Sequence, residues 1–229
     1  MIASIRSEQL ALWQRDDSGQ FLPEPEQMMP LAETFTAIAW TPTADGFVSG
    51  QASGRVMIWD DFAEGRQIEM EPKMAHSAAV TSLVVSPDGR WIASGSKDKT
   101  IKIWDREGNW VQTLEGHKAG VRAIAFSPDS SRLASVSSDS TLKLWQLGKL
   151  PEQSSPLLRS LAVHSGGVNT VAFSPDGLEI ATAGNDRRVI VWKIQEILAL
   201  DELNAACQQV GDYLRNSSLV KDEARSLCS

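Results

Sequence analysis

Residues 117–145 read HKAGVRAIAFSPDSSRLASVSSDSTLKLW, and the chain repeats this pattern along most of its length. An apolar run over 121–126 precedes a proline turn, and a second apolar run leads through an aspartate turn to Trp145. A proline followed 17 residues later by a tryptophan occurs four times, at Pro42–Trp59, Pro87–Trp104, Pro128–Trp145 and Pro175–Trp192. Constant spacing within a unit, with units 45, 41 and 47 residues apart, predicts packed repeats joined by adjustable loops.

Each unit predicts short strands separated by turns. The run at 121–126 and its equivalents at 80–85 and 168–173 are apolar enough for a buried inner strand. Proline followed by Asp and Gly suits a tight turn after that strand. A third segment, such as Thr100 to Trp104, alternates as a half-exposed strand does. The pattern therefore predicts an all-β repeat protein.

Composition excludes several classes of protein. With 229 residues, 42% hydrophobic and 22% charged, the chain can bury a core and is not a disordered tail. No apolar run approaches the about 18 residues of a membrane helix, and the start of the chain lacks a signal-peptide core. Two cysteines cannot build a disulfide scaffold, and a net charge of −7 argues against nucleic-acid binding. We expect a cytoplasmic protein without cofactor, membrane or nucleic-acid contacts.

Two dipeptides reveal a family resemblance. Trp59-Asp60, Trp104-Asp105 and Gly116-His117 lie in register with the repeat, and over about residues 1–195 the chain resembles WD40-repeat proteins. The resemblance implies a β-propeller whose blades have four antiparallel strands, a to d from the central channel outward. It also implies a non-catalytic scaffold that binds protein partners through loops on rigid blades.

The chain is short for a complete ring of this family. A blade needs about 40–45 residues, so seven blades would need roughly 300. We predict a partial propeller of about four to five blades, with the first and last incomplete, and a short C-terminal α-helical tail. The predicted units are 1–30 (partial blade 1, with Phe21-Leu22 as its outer strand), 31–75 (blade 2), 76–116 (blade 3), 117–163 (blade 4), 164–195 (incomplete blade 5) and 196–229 (tail).

An open propeller exposes strand edges and an apolar blade face. The chain is then expected to be a fragment or subunit of a larger signalling or sensor protein, forming a homo-oligomer or pairing with another propeller fragment. The alternatives are a nonfunctional remnant of a longer WD40 protein, closure as a five-bladed monomer and, least favoured, an enzyme.

The C-terminal tail predicts a helix. Leu200, Leu203, Cys207, Val210 and Leu214 are spaced 3, 4, 3 and 4 residues apart, which places them on one helix face. That stripe either packs against the propeller or a second helix, or docks a partner helix. The tail resembles the end segment of long bacterial WD40-repeat proteins, several of them associated with STAND-type NTPases, which implies a bacterial origin and a sensor-like parent. This chain has no phosphate-binding loop of the Gly-x-x-x-x-Gly-Lys-Ser/Thr type.

The three histidines occupy one repeat position. Each lies 22 residues before an aspartate, a hydroxyl residue lies four before that aspartate, and a tryptophan six after it. A Ser, His and Asp set suggests a catalytic triad, but catalysis needs one set and this set occurs three times. The family resemblance implies a structural hydrogen-bond network, and histidines on separate blades are not expected to bind one metal. The network residues are His76, Ser94, Asp98, Trp104, His117, Ser135, Asp139, Trp145, His164, Thr182, Asp186 and Trp192.

Blade 2 departs from this pattern. Ser53 stands where aspartate is expected and Leu31 where histidine is expected, while Ser49 and Trp59 remain. We therefore expect this blade to lack the network and to be less rigid.

Partner binding is assigned by resemblance to the loops that join strands d to a and b to c. The candidates there are Lys97, Arg122, Asn169 and Asn185. None of them is a Trp or Tyr hot-spot anchor, and solvated loop residues are the alternative interpretation of each.

Overall fold

The structure is a computed structural model that describes residues 2–6, 9–13, 20, 24, 27–30, 34–43, 46–60, 66–69, 76–147 and 156–199. Over these ranges the chain forms five antiparallel sheets and one short helix. The predicted all-β architecture is confirmed, and each sheet corresponds to one blade.

Blade 1 is a three-stranded sheet of β1 (Ile2–Arg6), β2 (Gln9–Trp13) and β3 (Gln27–Pro30), in that order. Ile2 pairs with Trp13, as Ile92 pairs with Trp104 in blade 3. This register assigns β1 and β2 to strands b and c. The third strand begins at Gln27, and the segment Phe21-Leu22 predicted for it lies outside the described residues.

Blades 2, 3 and 4 are four-stranded sheets, each built from strands consecutive in the chain. Blade 2 contains β4 (Phe35–Trp40), β5 (Gly46–Gln51), β6 (Val56–Asp60) and β7 (Arg66–Glu69). Blade 3 contains β8 (Val80–Val85), β9 (Trp91–Ser96), β10 (Ile101–Asp105) and β11 (Trp110–Leu114). Blade 4 contains β12 (Val121–Phe126), β13 (Arg132–Ser137), β14 (Thr141–Gln146) and β15 (Leu157–Ala162).

Blade 5 has three described strands: β16 (Val168–Phe173), β17 (Glu179–Gly184) and β18 (Val189–Lys193). Helix α1, residues 194–199, follows β18 directly and begins two residues before the predicted tail. Its Ile194 and Ile197 are buried, and the Arg159 guanidinium of β15 donates to the carbonyl oxygens of Ile197 and Leu198. The predicted stripe from Leu200 to Leu214 lies outside the described residues.

The hydrophobic core lies between blades, because the inner strands β4, β8, β12 and β16 contact one another in sequence. We call front face the side of a blade that packs on the next blade, and back face the opposite side. Apolar residues of strand c on each front face meet strand a on the following back face. The pairs are Val56 and Ile58 with Val80 and Leu83, Ile101 and Ile103 with Val121 and Ile124, and Leu142 and Leu144 with Val168 and Val171.

Each of the proline turns in blades 3, 4 and 5 contains one residue in the left-handed backbone conformation, which explains the choice of residue there. Gly89 and Gly177 adopt φ of 72° and 71°, which glycine accepts without steric cost. Ser130 takes the same position in blade 4 with φ 59°, so that turn carries backbone strain that the other two avoid.

Candidate functional site

Blade 3 brings the four predicted network residues together. The Nδ1 atom of His76 lies 2.8 Å from an Asp98 carboxylate oxygen, and its Nε2 lies 2.9 Å from the Ser94 hydroxyl. The Trp104 indole donates to the same hydroxyl at 3.0 Å. The network therefore joins strands b and c to the segment before strand a.

Blades 4 and 5 repeat this geometry. In blade 4 the distances are 3.0 Å for His117–Asp139, 2.8 Å for His117–Ser135 and 2.8 Å for Trp145–Ser135. In blade 5 they are 2.8 Å for His164–Asp186, 3.0 Å for His164–Thr182 and 3.1 Å for Trp192–Thr182.

Electrostatics in blade 4 assign the protons of this network. Burial opposes ionisation of Asp139, but hydrogen bonds from Thr141, the Lys118 amide and His117 outweigh it and lower the pKa of Asp139 to about 2. Burial lowers the pKa of His117, and Asp139 only partly offsets that effect. A neutral imidazole then donates from Nδ1 to the carboxylate and accepts the Ser135 proton at Nε2, so every polar atom is satisfied.

These hydroxyl groups are closed to a substrate. Ser94 and Ser135 are 0% exposed, and Thr182 is 1% exposed. Each hydroxyl oxygen already contacts a histidine and a tryptophan side chain. A buried oxygen with both neighbours in place can hold strands in register but cannot attack a bound molecule.

In blade 2, aromatic rings surround the repeat tryptophan. Trp59 still donates to Ser49 at 2.8 Å. Its ring stacks on Phe47 with centroids 5.3 Å apart and meets the edge of Phe35 at 5.6 Å. Phe47 pairs with Trp59 at the position where the aliphatic Ile92 pairs with Trp104 in blade 3. The replacement of an aliphatic residue by phenylalanine is the sequence signal for this aromatic cluster.

The inner strand of each of blades 2 to 5 carries a β-bulge at the same position, one residue into the strand. A bulge leaves the extra residue unpaired with the neighbouring strand and re-aims its side chain. The bulge residues are Thr36, Thr81, Arg122 and Asn169. We call loop face the end of the molecule formed by these residues and the b–c turns.

Three of the four predicted partner-binding residues meet on the loop face. Arg122 donates from Nε to the Ser138 hydroxyl at 2.7 Å and from Nη1 to the Asn169 side-chain oxygen. Asn169 in turn donates to the Asn185 side-chain oxygen at 2.8 Å. Arg122 and Asn169 line an open cleft of about 580 Å³, and Lys97 lines it from the b–c turn of blade 3.

The described part of the chain shows neither a metal cluster nor a membrane-spanning helix. There, no three His, Cys, Asp or Glu side chains cluster as a metal site would require. None of its helices combines the length and the apolar character of a membrane span.

The family model described as "WD domain, G-beta repeat" matches residues 71–105, 108–146 and 155–193. Those three ranges contain all twelve residues of the polar networks of blades 3, 4 and 5. The chain belongs to the WD40-repeat family. The sheet of blade 2 lies before the matched ranges, in keeping with its missing histidine and aspartate.

Relatives of this WD40 chain are similar to it over part of its sequence. Eukaryotic translation initiation factor 3 subunit I of Drosophila yakuba and of Drosophila melanogaster are each 30% identical over 92 residues, 40% of this chain. The match covers 28% of those proteins, so the chain aligns with under a third of their length. These relatives are fly proteins, and the bacterial origin and sensor-like parent stay predictions.

Two solved structures share the propeller fold. The crystal structure of RRP9 WD40 repeats superposes with a TM-score of 0.64 and 26% identity, over 74% of this chain and 51% of that one. The structure of U3-55K gives the same TM-score with 25% identity and the same coverage. The predicted partial WD40 propeller is therefore confirmed as a fold.

Proposed function

We propose that this WD40 chain is a non-catalytic protein-interaction scaffold that works in a larger assembly, formed with a second copy through the front face of blade 5. The observation that carries the proposal is the exposure of Val189 and Val191, at 74% and 57%. Their equivalents in blade 4, Leu142 and Leu144, are each 1% exposed.

The repeat itself indicates what covers such a face. Three internal interfaces bury the same strand c positions against the aliphatic inner strand of another blade. Burying one exposed valine or leucine side chain contributes about 1.5–3 kcal/mol, so covering Val189 and Val191 is favourable. A second blade surface of the same chemistry is the occupant that fits.

The edge of blade 5 supports the same occupant. Among the described strands, β18 pairs only with β17, whereas the equivalent β14 pairs on both sides. An unpaired strand edge is a template for pairing with another chain. A second copy supplies both an apolar blade face and a strand edge of the same kind.

The non-catalytic part of the proposal rests on the networks. A set of Ser or Thr, His and Asp occurs once in each of three blades. Its hydroxyl is buried and forms hydrogen bonds to two side chains. WD40 proteins generally serve as protein-interaction scaffolds, and propeller loops carry recognition.

Light scattering coupled to gel filtration tests this proposal. We expect the natural chain to elute as a species larger than its 25.0 kDa monomer, and Val189→Asp with Val191→Asp to return it to a monomer. Trp110→Asp is the control, because Trp110 is another exposed apolar side chain, 37% exposed, and lies on β11 of blade 3. A natural chain that is monomeric and melts cooperatively would contradict the proposed assembly.

A further inference from the structure

We propose that the loop face binds an acidic segment of a protein partner, with one carboxylate received by the Arg122 guanidinium and a second by the Lys97 ammonium. This inference rests on the scaffold function proposed above. Its two cations lie in blades 3 and 4, whereas Val189 and Val191 lie in blade 5, so the two proposals fail in separate experiments.

The bulge positions set Arg122 apart from its counterparts. In blades 2 and 3 the bulge residues are threonines whose hydroxyls donate to the carbonyls of Gly50 and Gly95, at 3.1 and 3.0 Å. In blade 4 the same backbone irregularity presents a guanidinium. Arg122 is therefore the one charged member of the four described bulge residues, placed by a device that re-aims side chains.

Two uncharged groups hold the Arg122 guanidinium in place. Its hydrogen-bond acceptors, the Ser138 hydroxyl and the Asn169 amide oxygen, are both uncharged. The contact from Asn169 to Asn185 fixes which end of the amide faces Arg122. Elsewhere, by contrast, the exposed Arg90 pairs with Asp88 at 2.9 Å. Among the described residues, these contacts orient Arg122 for an incoming anion without placing a carboxylate against it.

The second cation faces the same cleft. Lys97 lines it with Arg122, and the remaining lining residues, Thr81, Gly120, Val121, Ser138 and Asn169, are uncharged. Within the described part of the chain, neither cation forms an ion pair. Two unpaired cations in a protein of net charge −7 concentrate positive potential at this cleft and favour an acidic partner.

Close packing of the turns holds the cleft open. A side chain at Gly120 would place its Cβ 3.2 Å from the Lys97 Cα, and one at Gly167 would lie 3.3 Å from the Ser138 Cα. The absence of side chains at these glycines lets each b–c turn seat against the next blade. Lys97 therefore lies on a turn that packs closely against the following blade.

The site suits two carboxylates. Arg122 already donates from Nε and Nη1, and its Nη2 group has no acceptor among the described residues, so Nη2 is the donor offered to a carboxylate. The cleft offers one Arg and one Lys, and two separate side-chain carboxylates match these two single charges. We therefore expect Glu or Asp side chains, spaced along an extended segment, to be the recognised groups.

A fluorescein-labelled peptide in which Glu alternates with Gly and Ser is the probe, and its Gln counterpart is the control peptide. Fluorescence anisotropy should report binding of the Glu peptide that weakens as salt rises, and much weaker binding of the Gln peptide. Arg122→Gln should weaken binding about tenfold, since a charge-assisted hydrogen bond is lost, and Lys97→Gln should weaken it less. Arg106→Gln is the matched control, because it removes one exposed positive charge from a turn at the other end of the blade and should leave binding unchanged.

Asn169→Asp tests the same idea without removing a cation. A carboxylate at this position would pair with Arg122 and compete with the peptide, so binding should fall as far as in Arg122→Gln with an unchanged melting temperature. Equal binding of the Glu and Gln peptides would overturn the proposal, as would an equal loss in Arg106→Gln, or binding only of a phosphoserine peptide. The oligomeric state should be the same in all these variants, which separates this test from that of the assembly.

Discussion

Blades 4 and 5 contain the same polar network, but the front face of blade 4 is buried and that of blade 5 is exposed. Both contain a His–Asp pair, a hydroxyl and a tryptophan in the same geometry. Leu142 and Leu144 of blade 4 are buried by blade 5, whereas Val189 and Val191 of blade 5 are exposed. The network is thus a property of one blade, and the burial of its front face depends on what lies next to it.

The largest expected contrast comes from truncating the matched front-face residues. Leu144→Ala should destabilise the protein by about 3 kcal/mol, because it leaves a cavity between blades 4 and 5. Val191→Ala should change the stability of the monomer by about 0.5 kcal/mol or less, because that side chain is already exposed. Urea unfolding at low protein concentration measures both. Equal losses would show that the face of blade 5 is buried in the monomer.

Removing a network histidine should have a smaller effect. His117→Ala deletes the link between Asp139 and Ser135 and should cost about 1–3 kcal/mol, since buried partners are left unsatisfied. His164→Ala should lie at the lower end of that range, because Trp192 is less buried than Trp145. Thermal melts of the two variants compare them. Loss of a measurable chemical activity with unchanged stability would instead favour catalysis.

The smallest expected effect is a dependence of stability on pH. His76 and His117 have pKa values lowered chiefly by burial, so the unfolded chain takes up protons below about pH 6.5 that the folded chain does not. Asp139, with a pKa of about 2, keeps its charge when the unfolded chain begins to lose its own near pH 4. The histidines and Asp139 therefore both make the free energy of unfolding decrease as the pH falls. The urea midpoint should decrease from pH 7 to 5 and again below pH 4, and Asp139→Asn should flatten the second step. A midpoint that rises on acidification would refute these assignments.

The repeat spacing predicted the sheets because it reports local chemistry. A proline turn and a tryptophan at fixed separation predict the order of the strands in a blade. The structure shows that order, because Trp104 pairs with Ile92 and Trp145 pairs with Leu133 on the preceding strand. The network residues could be grouped by spacing alone, since each unit carries its own copy. Sequence spacing also predicted that blade 2 lacks the network, but not that Phe35 and Phe47 pack around Trp59.

Other features depend on tertiary structure. The bulge that exposes Arg122 arises where the inner strand fits against its neighbour, and no residue in the sequence marks it. The start of α1 moves to residue 194 because Ile194 and Ile197 are buried in the core between blades 4 and 5. Arg159 then binds the carbonyls at the end of that helix, a contact between residues 38 and 39 apart in the chain.

Hydrogen exchange of the β18 amides at two protein concentrations tests the central claim most directly. If the front face and edge of blade 5 receive a second copy, the amides of Val189–Lys193 should be protected at high concentration and exchange faster on dilution. The amides of β14, the matched strand inside blade 4, should exchange at the same rate at both concentrations. Identical, rapid exchange of β18 at both concentrations would contradict the account.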